Sequence, residues 1–254
     1  MKNLNQYISE KLVLTKKIIN KHTPATKNEL IEMIKSEVNR KGWNCDLNHI
    51  DVSQITDMSE LFCYRTTAYN LEKFNGDISK WDVSNVENMK DMFCGSDFNG
   101  DISNWDVSSV KDMGGMFSES KFNGDISEWD VSNVTYMAYM FMYTDSFNQD
   151  LSKWDVSKVK DMSMMFADAS SFNQPIGDWD VSNVETMECM FQNAESFNKP
   201  IGKWNVSNVK NMERMFSGAL KFNQNLSRWK LYDERDAYSM FDDCPIKDQY
   251  KPKC

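Results

Sequence analysis

The sequence contains few of the residues from which enzymes build catalytic sites. Its only histidines are His22 and His49, and neither has a cysteine, serine or aspartate partner at a recognisable motif spacing. There is no GxGxxG, P-loop or HExxH motif, so nucleotide and zinc-peptidase chemistry have no candidate residues. The sequence therefore predicts a protein that is not an enzyme and that uses no cofactor and no metal.

Long apolar runs are also missing. No stretch approaches the roughly 20 apolar residues that span a bilayer, and the first residues lack the apolar core of a secretory signal. As written, the chain is expected in the cytoplasm. The net charge of −9 argues against a nucleic-acid partner, because phosphate binding needs a basic patch. That charge is uneven, since residues 1–42 hold nine Lys or Arg against four Glu.

Cysteine is sparse and irregularly spaced. The six cysteines are Cys45, Cys63, Cys94, Cys189, Cys244 and Cys254. Without a CxxC pair, neither a zinc site nor a disulfide framework is indicated. Cys63 and Cys94 both follow the phenylalanine that ends a repeat unit, which makes them candidate neighbours on adjacent coils. We expect them to be reduced, small apolar residues.

One repeated phrase dominates the sequence, and FNGDISKWDVSNVENMKDMF at residues 74–93 is a clear copy. Tryptophans mark it at intervals of 24 residues twice and then 25: Trp81, Trp105, Trp129, Trp154, Trp179, Trp204 and Trp229. A degenerate copy begins at Ile50, and the last copy decays after Trp229. Such periods indicate stacked units with altered units at both ends.

Each unit is predicted to contain a strand and a helix. Alternation over Ile78–Val83 predicts a short strand, and the spacing of apolar residues over Val86–Phe93 predicts a short helix. Ser84 and Glu87 form a capping box at the predicted helix start. Strands pack more closely than helices, so the strands should line a concave side, whereas a single turn in place of the helix would give a straighter stack.

A Phe-Asn pair recurs in every unit, beginning with Phe74 and Asn75. Asparagine satisfies backbone groups in turns, so we predict a structural ladder of asparagines through the stack. The 18 methionines are interpreted as adaptable core residues.

The unit FNxDISxWDVSxVxxMxxMF resembles the BspA-like leucine-rich-repeat family, in the variant also described as the mycoplasma lipoprotein repeat. The resemblance covers about residues 43 to 245. It implies an α/β repeat fold, a leucine-rich-repeat-like right-handed solenoid of about eight coils with an N-terminal helical cap. It also implies bacterial surface or secreted proteins that act in adhesion and partner binding. It brings no catalytic residues, and this sequence shows neither the signal peptide nor the lipoprotein cysteine of many surface members.

The predicted organisation has four parts. Residues 1–22 form a basic amphipathic leader or tail, for which a docking peptide, a membrane-surface element and a frayed end all stay open. Residues 23–44 hold a capping helix that starts at the Thr26–Glu29 capping box and stops at Gly42. Residues 45–246 form the solenoid, and residues 247–254 a C-terminal tail.

An aspartate follows the tryptophan position in most units. These residues are Asp51, Asp82, Asp106, Asp130, Asp155 and Asp180. Carboxylates directly opposite each other on neighbouring strands repel, so hydrogen bonds within the turn, nearby lysines or bound calcium must relieve them. We interpret this acidic ladder as structural.

The candidate partner-binding residues are Tyr136, Tyr139, Met142, Tyr143 and Met164. The spacing of the three tyrosines would put them on one helical face, and Gly114 and Gly115 in the preceding unit would leave space beside them. Exposed tyrosine patches are typical binding anchors. The alternative is that the tyrosines cover coil junctions.

These features together predict a non-catalytic protein-binding scaffold that uses its repeat surface to bind a protein partner, with either the tyrosines on the helix side or the acidic strand face as the contact. Two alternatives stay open. One is a surface adhesin that is exported by another route. The other is a self-assembling structural component of a larger particle, tethered by residues 1–22.

Overall fold

A computed structural model describes residues 23–65, 70–231 and 237–252 of the chain. Within these ranges, regular helix is confined to one α-helix, α1 (Lys27–Lys41), and one 3₁₀-helix (Asp248–Tyr250). Between them the chain runs through turns, and isolated parallel β-bridges join successive units. None of the helices in these ranges has the length and apolar character needed to cross a bilayer.

The ends of α1 follow directly from its sequence. Thr26 is the N-cap, and its Oγ1 accepts a hydrogen bond from the Glu29 backbone N–H at 3.2 Å. The Glu29 carboxylate reaches back to accept from the Ala25 N–H at 2.8 Å. Gly42 ends the helix at a φ of 89°, and its N–H donates to the Val38 carbonyl. The capping box and the glycine stop are therefore confirmed as helix boundaries.

One face of α1 joins the core of the first coil. Its buried residues are Leu30, Ile31, Ile34 and Val38. Burying side chains of this size contributes roughly 2 kcal/mol each. The Lys27 ammonium donates to Ser59 Oγ at 2.7 Å and lies 3.6 Å from the Asp57 carboxylate. The helix thus covers the apolar end of the stack.

Successive units lie directly on one another, so that equivalent residues form columns through the molecule. The Phe93 and Phe117 rings are parallel, with centroids 5.7 Å apart. The Trp81 and Trp105 rings stack at 6.5 Å. The phenylalanine column that ends each unit contains Phe62, Phe93, Phe117, Phe141, Phe166, Phe191, Phe216 and Phe241. These columns are the core, and it is continuous from the first coil to the last.

The predicted helix in each unit is wrong. Alternate backbone N–H groups, those of Met89, Asp91, Phe93 and Gly95, donate to carbonyl oxygens of the next unit at 2.7–2.9 Å. A helix would use these groups internally and would need 8–10 Å between neighbours, whereas the rings stack at 5.7 Å. Asp91 also has a left-handed φ of 53°, which a helix does not accommodate.

The apparent capping box within the unit has another role. Ser84 Oγ donates to the Asp82 carboxylate at 2.6 Å, and it starts no helix. The Glu87 N–H donates instead to the Thr56 carbonyl of the preceding unit at 2.8 Å. The pair therefore serves a turn and an inter-unit contact.

The predicted strand over Ile78–Val83 is also wrong. The Trp81 N–H donates to the Ile78 carbonyl at 3.1 Å, which closes a turn. Apart from one bridge between Asp46 and Asp77, the parallel bridges form later in the unit, at Asn88 and its equivalents. A concave face of strands therefore has no counterpart in the part of the chain that the structure describes.

Side chains link the units where the backbone does not. The Asn99 N–H donates to Asn75 Oδ1 at 2.9 Å, and the same bond recurs from unit to unit. The column is Asn75, Asn99, Asn123, Asn148, Asn173, Asn198 and Asn223. The predicted asparagine ladder is confirmed. Tryptophans add a second link, as where Trp105 Nε1 donates to the Ile78 carbonyl at 3.1 Å.

The described part of the segment that we assigned to a C-terminal tail continues the stack. The Lys247 N–H donates to Asn223 Oδ1 at 3.1 Å, at the end of the asparagine ladder. The Leu226 N–H donates to the Tyr250 carbonyl at 2.8 Å. The leader that we assigned to residues 1–22 lies outside the described residues.

Truncating a ring inside the phenylalanine column should cost more stability than truncating one at its end. Phe141 is buried between Phe117 and Phe166, so Phe141→Ala is expected to lower the free energy of unfolding by about 3–5 kcal/mol. Phe241 is partly exposed and stacks on Phe216, so Phe241→Ala should cost less than half as much. Urea unfolding followed by tryptophan fluorescence measures both, and equal losses would contradict the continuous column.

Candidate functional site

The three candidate tyrosines occupy three different columns and share no helical face. Tyr136 lies in the bridge column, paired with Asp112 on one side and Asp161 on the other. Its ring covers Gly114, where a Cβ would come within 2.5 Å of Tyr136 Cε1. Burial, and then the Asp161 carboxylate, raise the pKa of Tyr136. Tyr136 therefore seals a junction between two coils.

The space that was expected beside the tyrosines is filled. The Tyr136 ring takes the position over Gly114, and the Asp91 carboxylate lies against the Cα of Gly115. Burial raises the pKa of Asp91. These two glycines serve close packing between units.

Tyr139 and Tyr143 project from the stack. Their side chains are 38% and 53% exposed, and their φ angles are 63° and 56°. Glycine occupies the same columns in other units: Gly115 in the Tyr139 column, and Gly95 and Gly218 in the Tyr143 column. Both tyrosines thus stand at outer corners of the coil, where the backbone is left-handed.

Two methionines extend this surface. Met142 is partly exposed between the two tyrosines, and its N–H donates to the Tyr139 carbonyl at 3.1 Å. Met164 is partly exposed at the next position of the Tyr139 column, with a φ of 54°. We name Tyr139, Met142, Tyr143 and Met164 the tyrosine patch.

Carboxylates border the patch. Asp168 follows Tyr143 in its column, and its Oδ1 accepts from Asn193 Nδ2 at 2.9 Å. Asp145 lies two residues after Tyr143, and its Oδ1 accepts from Ser170 Oγ at 3.3 Å. Neither carboxylate has a Lys or Arg partner among the described residues. The patch is therefore apolar and aromatic at its centre and acidic at its edge.

The acidic ladder consists of turn residues. Asp106 Oδ1 accepts from the Ser108 N–H at 3.1 Å and from Ser108 Oγ at 2.6 Å. The aspartates of the ladder all accept the N–H of the serine two residues on. Serine hydroxyl bonds, followed by backbone bonds, lower the pKa values of Asp51, Asp106, Asp155 and Asp180. These hydrogen bonds stabilise the charged carboxylates.

Two more columns make the same turn, and sequence reasoning missed them. Asp101 accepts from the Ser103 N–H at 3.0 Å, and Asn88 accepts from the Lys90 N–H at 3.0 Å. In the units that begin at Phe74, Phe98 and Phe147, three turns are closed by an Asp or Asn side chain. The signal was present, because DIS and an Asp or Asn before the first methionine recur at the same period.

The surface beside the acidic ladder changes sign along the stack. A groove in the middle is lined by Glu128, Asp130, Lys153 and Asp155. The equivalent groove near the C-terminal end, with a volume of about 550 Å³, is lined by Asn205 and by three cationic side chains: Lys203, Arg228 and Lys230. In the ladder position itself, Asp180 is followed by Asn205 and then Lys230.

The described residues do not assemble a metal-binding cluster. In residues 23–65, 70–231 and 237–252, no three His, Cys, Asp or Glu side chains lie close enough together to hold a metal ion.

A stack of near-identical coils, with uniform core columns and an outer surface that differs between units, defines a repeat protein. Comparison with models of protein families gives matches to the family described as "Mycoplasma protein of unknown function, DUF285" over residues 28–121, 63–173, 101–196 and 147–251. The chain belongs to this family. No curated protein and no solved structure matches the chain.

The serine hydroxyls of the acidic ladder should make stability depend on pH. A lowered pKa means that the folded state favours the carboxylate, so the stabilisation is present above the unfolded value of about 3.9 and is lost as pH falls through the lower folded value. The triple variant Ser108→Ala, Ser157→Ala, Ser182→Ala should melt below wild type at pH 7. The difference in Tm should shrink towards pH 2.

Ser207 provides the matched control, because its turn is closed by Asn205 and not by a carboxylate. The effect of Ser207→Ala on Tm should be independent of pH. A triple variant whose deficit persists unchanged at pH 2 would show that the serines stabilise the fold by another interaction.

Proposed function

We propose that this protein is a non-catalytic scaffold that binds a protein partner through the tyrosine patch. The scaffold in this proposal is a right-handed, leucine-rich-repeat-like solenoid of about eight coils. The observation that carries the proposal is the exposure of Tyr139 and Tyr143 at left-handed positions in the middle of the stack.

The other non-glycine residues of these two columns, such as Asp91 and Glu119, share the left-handed φ, so it is their large exposed rings that set the two tyrosines apart. A left-handed φ costs a residue with a Cβ about 1–2 kcal/mol, and glycine avoids that cost in the same columns. A half-exposed tyrosine gains little burial in return. Its presence there is explained by contact with a second molecule, because tyrosine is strongly enriched among the residues that dominate binding energy.

The edge of the patch indicates the chemistry of the partner. Asp145 and Asp168 present carboxylates beside the aromatic surface. A complementary surface carries an apolar centre that contacts the tyrosines and methionines, with Lys or Arg residues around it. The net charge of −9 favours the approach of such a basic partner.

Replacing both tyrosines by glycine tests the proposal. Tyr139→Gly with Tyr143→Gly should leave Tm unchanged or slightly raised, since glycine relieves the left-handed strain. The same variant should lose capture of a partner that the wild-type protein binds. Quantitative mass spectrometry of proteins retained by immobilised wild type and variant measures the loss. Binding of the purified partner should then weaken at least tenfold, and it should weaken further as salt is added.

Tyr238→Ser is the matched control, because Tyr238 is 64% exposed but lies outside the patch. It should retain the partner as wild type does. Two results contradict the proposal: partner capture that survives the double glycine variant, or a loss of several kcal/mol of stability, which would mean that these tyrosines pack the coil junctions.

A further inference from the structure

Cys63 and Cys94 are neighbours in register on two adjacent coils. The Tyr64 N–H donates to the Cys94 carbonyl at 3.0 Å. The Met58 N–H donates to the Asn88 carbonyl in the same way, and there Asp57 and Asn88 pair in a parallel bridge. By that geometry Cys63 pairs with Cys94. Residues paired in this way lie about 4.8 Å apart, within the 4.4–6.8 Å between Cα atoms that a disulfide spans.

The two thiols are buried and touch each other. Cys63 is 1% exposed and Cys94 0%. Their side chains hydrogen-bond to one another, and the Arg65 N–H donates to Cys63 Sγ at 3.4 Å. The hydrogen bond from Cys94 lowers the pKa of Cys63, while the same bond and burial raise the pKa of Cys94. Of the two thiols, Cys63 is therefore the one that loses its proton more readily.

The pairing is confined to these two units. The same column continues with Ser118, Met142, Ala167, Gln192 and Ser217. The other described cysteines, Cys45, Cys189 and Cys244, are also free. Cys189 belongs to another column and has no cysteine paired with it across the coils.

We propose that hydrogen peroxide oxidises Cys63 and Cys94 to a reversible disulfide that links the first two coils covalently. The Cys63 thiolate attacks one oxygen of hydrogen peroxide, the O–O bond breaks, and the departing hydroxide leaves as water after taking up a proton. Cys63 becomes a sulfenic acid. The Cys94 sulfur then attacks the Cys63 sulfur, the S–S bond forms, the S–O bond breaks, and the Cys94 proton leaves with the hydroxide as water.

A dithiol reductant reverses this reaction by thiol–disulfide exchange. The disulfide would lie beside a second link between coils, in which Tyr64 and Arg65 both bind the Glu119 carboxylate. Oxidation therefore adds a covalent bond where side chains already hold this end of the stack together.

The experiment uses the full chain in its reduced form, treated with a small excess of hydrogen peroxide. Two thiols should be lost per molecule, as counted by maleimide labelling after denaturation and mass spectrometry. Proteolysis should yield one cross-linked peptide pair containing Cys63 and Cys94. The oxidised protein should melt several degrees higher than the reduced one, and dithiothreitol should restore the original Tm.

Serine variants provide matched controls, because Ser118 shows that serine is tolerated in this column. Cys94→Ser should stop oxidation at a Cys63 sulfenic acid that dimedone labels. Cys189→Ser should still lose two thiols. The proposal is overturned if the wild-type thiol count is unchanged, if the cross-link joins other cysteines, or if oxidation leaves Tm unaltered.

Discussion

The register between coils is the constraint on which the rest of the structure depends. Aromatic columns, asparagine bonds and backbone bonds all require equivalent residues to lie above one another, although unit length changes from 24 to 25 residues. The extra residue falls between the phenylalanine that ends one unit and the phenylalanine that begins the next. Phe141 and Phe147 are separated by one residue more than Phe117 and Phe122. Ring centroids nevertheless stay 3.9 Å apart in the longer unit and 4.0 Å in the shorter. The outer turn absorbs the insertion, so the columns are unaffected.

The same constraint explains which predictions from the sequence were right. The period identified the units, and the tryptophan, phenylalanine and asparagine columns follow from stacking like on like. The predicted local conformation was wrong. Apolar residues spaced three and four apart also suit a coil of consecutive turns, each closed by a backbone hydrogen bond between residues three apart. Alternate backbone N–H groups from Met89 to Gly95 bond to the next coil, and the sequence of a single unit does not show which groups do so. The capping box at Thr26 was readable because α1 is a local element.

The candidate site was readable only in part. Tyr139 and Tyr143 are exposed, but Tyr136 is packed on Gly114. A tyrosine by itself gives no indication of a left-handed backbone. Other residues of its column do indicate one, because Gly115 shares a column with Tyr139, and Gly95 and Gly218 share one with Tyr143. Comparing units position by position, with glycine as the marker of backbone conformation, places both tyrosines at outer corners from the sequence alone.

Position along the stack matters because each coil packs its core against its two neighbours. The end coils lack one neighbour and open most easily, and the N-terminal end is where α1, the Glu119 contacts and the paired thiols are concentrated. A binding surface needs a geometry that does not change when an end opens. The tyrosine patch meets that need, since the coils of Trp129 and Trp154 carry it with stacked units on both sides. Stabilising contacts at an end and an exposed surface at the centre therefore support the proposal of a rigid binding scaffold.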